Sequence, residues 1–331
     1  TSTDVTSKQV LYEEGGCWRG FNIHIQNGDL CVGAYDLNNN GVNNNGTQTD
    51  GDGTPQWGYT YVKTPVQANS TYILSAQFYA QNTGVVNANT NYYIKGWLNG
   101  VVFDNMLLND GDLTVNGNNG IGSLHFHPNP IGLGAVNDDF VDQNGIYCSN
   151  TGSFTFQGRL AEFAYYNDLL SQTERIIIEN YLGAKYFANL INNDEYIHQA
   201  LYGNDVIGIG QETNQSGNRH NLSQGRNPFL ISENGTSPNT GHYFLTGHNG
   251  GNMVLTSTDV PGNSPNIQRL QRTWRVDKTA GFGSVKYRVK STDLPPAPAG
   301  FTKLVMLIDS TSANFPNFSL SSTVVKEIPL L

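Results

Sequence analysis

Residues 36–54, DLNNNGVNNNGTQTDGDGT, gather hard oxygen ligands in one stretch: Asp36, Asn38, Asn40, Asp50 and Asp52. Calcium needs several such oxygens converging on one point. The D-x-N-x-N-G opening matches the first half of a twelve-residue calcium loop, but Thr47 stands where such loops end in an acidic ligand. Calcium is one expectation for this stretch, and a solvated Asn- and Gly-rich loop is the other. Asp138, Asp139 and Asp142 in NDDFVDQNG form a lesser acidic cluster. Directly after the first loop, PQWGYTYV places Trp57, Tyr59 and Tyr61 at period two, hence on one face of a strand. Aromatic side chains bury much area against sugar faces at modest entropic cost. These three are the expected ligand-binding residues if the chain binds glycan, with packing in the sheet as the competing role.

Signals for catalysis are weaker. Glycoside hydrolysis uses two carboxylates roughly 5 to 10 Å apart across a cleft, and Glu162 has Leu160 and Ala164 at the positions that share its strand face. It reads as a hydrogen-bonded polar group near a strand edge. His125 and His127 in SLHFHPNP would share a face, yet no further Cys or His nearby completes a zinc set. His242 and His248 in GHYFLTGHNG read as polar residues flanking turns, and no G-x-S-x-G elbow is present. IGIGQE supplies Gly208 and Gly210, but residue 213 is Thr213 and no βαβ unit surrounds it, so a dinucleotide site is not expected. Arg269, Arg272 and Arg275 around Trp274 read as a structural ladder of cations on an aromatic.

The elements that would position these groups are strands. In FNIHIQNGDLCVGAY, Asn27-Gly28 suits a two-residue type I′ turn, which sets Ile25 opposite Leu30, Ile23 opposite Val32, Phe21 opposite Ala34 and His24 opposite Cys31. Cys17 then lies seven residues from His24, roughly 23 Å along an extended chain, while a disulfide needs Cα atoms within about 7 Å. A Cys17–Cys31 bridge is disfavoured, and Cys148 is the better partner for one of them. GWLNGVVF repeats the hairpin with Asn99-Gly100 at its turn. Further strands are expected in QVLYEEG, TYILSAQFYA, NYYIKGWL and the stretch from Phe154. Ser171 and Glu174 form a capping box for a helix over about 172–188, with Ile177, Ile178, Tyr181 and Leu182 on one face. Beyond it, VKYRVK turns Val285, Tyr287 and Val289 inward and Lys286, Arg288 and Lys290 outward. KLVMLID, almost continuously apolar, reads as a central buried strand.

At 331 residues, two domains are the default. Charged residues make up 14%, with 37 Gly and abundant Asn, Thr and Ser, a composition for an all-β chain with many turns. A net charge of -9 argues against a nucleic-acid partner. No apolar run approaches the roughly 20 residues of a membrane span. The strand-like ending STVVKEIPLL suggests a longer parent protein.

The segment SFTFQGRLAEFAYYNDLLSQTERIIIENYLGAKYF resembles the close of laminin-G-like, concanavalin-like sandwich modules: Gly158 and Glu162, then Tyr166, Asn167, Leu170, Ser171, Glu174 and Arg175, then Tyr181, Leu182, Lys185 and Tyr186. The central Asn-Gly hairpin and the opening LYEEGG.WRGFNIHI..GDL are similar too. "YGNDVIGIG", "GHNG" and "R-x-W-R-V" in the second half resemble a segment that follows such modules in large surface proteins of Bacteroidota. The resemblance implies a jelly-roll sandwich over residues 1–190 with a closing helix, then a second β-sandwich-like domain over 191–331, incomplete at its C-terminal end. It also implies secretion or a cell-surface location, a calcium at a loop rim, and glycan or surface protein as partner. Enzymes on related folds carry an E-x-D-x-E strand motif, which is absent here. The expected function is therefore a non-catalytic adhesin or surface-filament component. A carbohydrate-active enzyme or its binding module, and a structural spacer, are the alternatives.

Overall fold

The computed structural model describes residues 2–15, 19–37, 57–81, 91–103, 107–108, 131–137, 139–142, 147–149, 152–213, 217–226, 229–234, 239–311 and 316–328. The fold is all-β, with one helix longer than a single turn among the described residues, and it divides into two compact units, Thr1–Leu169 and Leu170–Leu331.

The first unit contains β1 (Gln9–Gly15), β2 (Arg19–Gln26), β3 (Asp29–Leu37), β4 (Trp57–Pro65), β5 (Leu74–Gln81), β6 (Asn91–Leu98), β7 (Val101–Phe103), β8 (Leu107–Leu108), β9 (Gly132–Leu133), β10 (Asp139–Val141) and β11 (Tyr147–Ser149). Six of them form an antiparallel sheet in the order β8-β4-β3-β2-β1-β9, and β5-β6-β7 form a second sheet. Ile25, Leu30, Val32, Ala34 and Val62 of the first sheet pack with Ile94, Leu98 and Phe103 of the second in one core. Burying each of the larger side chains among these contributes about 1.5–3 kcal/mol. Local chemistry sets the register. Asn27 and Gly28 take φ of 55° and 86°, as the primed turn requires, and the pairs Phe21–Ala34, Ile23–Val32, His24–Cys31 and Ile25–Leu30 all form. The Asn99-Gly100 hairpin likewise pairs Leu98 with Val101.

The stretch from Phe154 departs from expectation. Phe154 has φ of +52°, a left-handed conformation that an extended strand cannot continue through. Only Thr155 and Gly158 make isolated bridges, to Val10 and Ser2, and no strand is formed from residue 159 to 169.

The second unit contains α1 (Gln172–Tyr186), α2 (Gln199–Tyr202), β12 (Asn204–Gln211), β13 (Arg219–His220), β14 (Leu222–Gln224), β15 (Phe229–Glu233), β16 (His242–His248), β17 (Leu255–Thr256), β18 (Arg269–Leu270), β19 (Trp274–Lys278), β20 (Val285–Val289), β21 (Val305–Ile308) and β22 (Val324–Glu327). The sheet β13-β12-β16-β19 is packed on both faces. Val206, Tyr243 and Leu245 meet Ile176, Ile177 and Ala184 of α1. On the other face Ile207, Ile209 and Phe244 meet Ile231, Val285 and Tyr287 of the sheet β14-β15-β20. Gly208 and Gly210 lie in mid-strand, where a Cβ would come within 2.9 Å of the Leu245 side chain or 2.5 Å of the Tyr243 ring. These glycines admit bulky neighbours on the helix side of the sheet.

The helix was expected to close the first domain, and it is built into the second unit instead. Its capping box forms as expected: the Glu174 N–H donates to Ser171 Oγ at 3.2 Å, and the Ser171 N–H donates to Glu174 Oε2 at 2.9 Å. Its buried face is rotated from the expected one, with Ile176, Ile177, Asn180, Gly183 and Ala184 inward and Ile178 and Leu182 only half-buried. Replacing Ser171→Ala is expected to cost about 1 kcal/mol in chemical unfolding, and Ser171→Gly only a few tenths. Val305–Ile308 is not central. Among the described residues it pairs only with exposed β22, in a two-stranded ribbon, and it is half-buried throughout.

Candidate functional site

Tyr61 is withdrawn from solvent, 1% exposed, with its ring lying over Gly33, the residue paired with it across β3 and β4. A Cβ at Gly33 would stand 1.9 Å from that ring. Tyr61 also meets the His24 ring edge-on at 5.6 Å. It cannot serve as a sugar platform, so its assignment as ligand-binding is corrected to a packing role. Trp57 and Tyr59 occupy the same strand at period two, and their side chains lie outside the described residues. Asp36 belongs to β3 by its backbone, paired with Arg19 and Gly58, with its side chain likewise undescribed. Asn38, Asn40, Asp50 and Asp52 lie outside the described residues altogether, as do His125 and His127. Among the described residues no group of three or more His, Cys, Asp or Glu is placed to hold a metal ion.

Behind the apolar core, the other face of the six-stranded sheet carries a buried polar layer that the sequence did not announce. Glu13, Asn22, His24, Cys31 and Asp142 are all fully buried, and β10 lies against β1 and β2 there. Burial is tolerated because the polar groups have partners. Asp142 Oδ2 accepts from Lys8 Nζ at 2.6 Å, which commits one member of the second acidic cluster to an ion pair. Glu13 Oε2 accepts from the Asn137 N–H at 3.2 Å, and His24 Nδ1 lies 2.8 Å from Asn22 Oδ1. Burial pushes the His24 imidazole down to about 3, with the Asp142 charge opposing and the Lys8 charge reinforcing that shift. Burial likewise pushes the Cys31 thiol up to about 12, which keeps it protonated and unreactive near neutral pH. The side chains of Cys17 and Cys148 are outside the described residues.

In the second unit His248 donates from Nε2 to Asp205 Oδ2 at 3.0 Å, while Nδ1 accepts from the Gly250 N–H at 3.0 Å. Both ring nitrogens are committed, and burial lowers the imidazole against the opposing Asp205 hydrogen bond. This is a fixed strand-end residue and not a poised base. The arginines do not form a ladder on Trp274. Arg269 pairs with Asp259 and lies over Phe318, Arg272 donates to the Gly251 carbonyl, and Arg275 donates to His198 Nε2. Trp274 meets Phe229 edge-on at 4.4 Å instead. His198, Arg275 and Asp277 lie together, and the Asp277 charge also reaches Asp194 and Glu195, a polar grouping that sequence reasoning missed because Asp277 comes from a distant strand. Burial lowers the His198 imidazole, and burial followed by the Glu212 charge raises the Glu195 carboxyl.

One described surface of the first unit stands out for its exposed apolar area. Phe156 packs against the core and Phe163 stacks on Tyr12 at 5.1 Å, but Leu160, Phe163, Tyr165, Tyr166 and Leu169 are each between 45% and 64% exposed. The row lies on a segment outside any strand ladder. Several exposed apolar side chains close together in one segment make it a candidate interaction surface.

No described helix is long and apolar enough to cross a membrane. No curated protein and no solved structure matches the chain. Over residues 174–328, from within α1 to just past β22, the chain is similar to a family described as a domain of unknown function (DUF8202).

Proposed function

We propose that this chain is a non-catalytic recognition module of a secreted or cell-surface protein, an adhesin or surface-filament component that binds glycan or protein through its first unit. The exposed aromatic row from Leu160 to Leu169 carries this reading. Tyr165 and Tyr166 offer aromatic faces with polar tips, a combination suited to sugar rings and to wet protein interfaces. Three of the groups that could do acid–base work are committed elsewhere, which supports the same reading: His24 is sealed in the sheet, His248 has both nitrogens engaged and Asp142 is paired with Lys8. Calcium at Asp36, Asn38, Asn40, Asp50 and Asp52 would add a second anchoring point at a loop rim.

A glycan array probed with and without a chelator tests the reading. The Tyr165→Ser/Tyr166→Ser variant is expected to lose at least about tenfold in affinity while keeping its melting temperature, because exposed substitutions move stability by only about ±0.5 kcal/mol. Release of reducing sugar would replace adhesion with the enzymatic alternative, and silence in both assays would leave the spacer. If calcium raises the melting temperature of the parent and of Asp50→Ala/Asp52→Ala equally, the calcium loop is wrongly placed.

A further inference from the structure

The outer face of the sheet β14-β15-β20 carries a row of cations in an otherwise acidic chain. Lys286, Arg288 and Lys290 are all exposed, while Val285, Tyr287 and Val289 alternate inward. Successive cations are therefore spaced by roughly 7 Å along one strand. Register places the neighbours: Ser232 is opposite Lys286 and Leu230 opposite Arg288, and on β14 Leu222 is opposite Ser232 and Gln224 opposite Leu230. The pair Phe229–Val289 brings the β14–β15 turn, with exposed Arg226, to the Lys290 end of the row. Among the described residues none of these four cations is in an ion pair. The nearby Glu233 carboxylate is taken by Arg219, and Lys303 and Glu327 satisfy each other. Like charges spaced in this way along one strand repel one another weakly through water, and an anionic ligand laid along the row relieves that repulsion.

We propose that this face binds an acidic glycan, a chain carrying carboxylate or sulfate on some of its sugars. Charge density selects this occupant. Duplex DNA brings one charge per about 1.7 Å of axis, far denser than the cation row, and a long polyphosphate would run on to the rest of a chain with 27 acidic against 18 basic residues. An acidic glycan spaces its charges widely and puts hydroxyls and C–H faces between them. Ser232 and Gln224 supply hydrogen-bonding groups beside the cations, and Leu222, 49% exposed, and Leu230 supply apolar contact for sugar faces. Exposed pairs of this kind are individually weak and screened by salt, so the interaction gains strength from several contacts along one polymer.

The inference concerns the second unit and stands apart from the aromatic row of the first. The test measures binding of the full chain to fluorescent oligogalacturonate and to a sulfated galactan oligosaccharide, with a neutral maltooligosaccharide, an oligothymidylate and phosphatidylserine vesicles as comparisons. Binding to at least one acidic glycan is expected, weakening as salt rises. Lys286→Gln/Arg288→Gln/Lys290→Gln should weaken it about tenfold, with circular dichroism and melting unchanged. Lys326→Gln, an exposed lysine on β22, should leave it intact, and so should Tyr165→Ser/Tyr166→Ser, which separates this face from the proposed site on the first unit. The proposal is overturned if neither acidic glycan binds, if the triple variant binds as the parent does, or if oligothymidylate or the vesicles are held more tightly than both glycans at equal salt.

Discussion

Acidification from pH 7 to pH 4 is expected to destabilise the first unit by about 3 kcal/mol through His24 alone. Its imidazole titrates near 6.5 when the chain is unfolded and near 3 when folded, because it sits sealed in the sheet. Between those values the unfolded chain takes up a proton that the folded one refuses, so stability is fully present above pH 6.5 and falls by up to about 1.4 kcal/mol per pH unit down to pH 3. The groups facing the ring do not reverse the sign. Asp142 favours protonation but is already paired with Lys8, whose charge acts the other way, and Tyr61 and Cys31 are neutral neighbours. Replacing His24→Asn retains a donor toward Asn22 Oδ1 while removing the titration. Urea midpoints of the full chain at pH 7, 6, 5 and 4 should decline steeply in the parent. The transition that His24→Asn weakens at pH 7 should be nearly flat over the same range in that variant. Equal slopes in the two proteins would show that other groups govern acid lability.

The second large effect is expected at Asn180, on the buried face of α1. Its Nδ2 donates to the Ile176 carbonyl at 2.9 Å and the Asn193 carbonyl at 2.7 Å, and its Oδ1 accepts the N–H groups of Glu195 at 2.8 Å and Tyr196 at 2.9 Å. One amide thus clasps the chain that leaves the helix. It sets the backbone from which Tyr196 inserts into the helix-side core and donates its hydroxyl to the Tyr202 carbonyl at 2.9 Å. Asn180→Leu deletes four hydrogen bonds and leaves backbone groups without partners inside the protein. At about 1–3 kcal/mol for each buried group left unsatisfied, the loss should be roughly 3–5 kcal/mol. Amide exchange over residues 193–202 should accelerate more than exchange elsewhere in the unit. A loss below about 1 kcal/mol would mean that water replaces the amide and that the clasp is not structural.

Sequence alone fixed the features whose physics is local. Two Asn-Gly turns have only a few compatible backbones, so they set the pairing of β2 with β3 and of β6 with β7, residue by residue. The Ser171–Glu174 box marked the helix start, and alternation in VKYRVK told the inward residues from the basic outward ones. The all-β class followed from turn-rich composition. What depended on partners distant in the chain was not legible. Whether Tyr61 faces a ligand or the sheet depends on Gly33 across the ladder, which leaves room for its ring. The helix face and its allegiance to the second unit depend on β12, β16 and the 193–202 segment. The apolar run at Val305–Ile308 looked central because hydropathy reports apolarity and not the number of neighbouring strands, and among the described residues only the ribbon with β22 is formed. The stretch from Phe154 to Phe163 alternates like a strand, yet Phe154 takes a left-handed turn and no ladder forms from residue 159 to 169, where Tyr165 and Tyr166 are exposed. Periodicity states which residues share a face. Only tertiary packing states what that face meets, because burial is a property of two surfaces and the sequence of one strand records a single one of them.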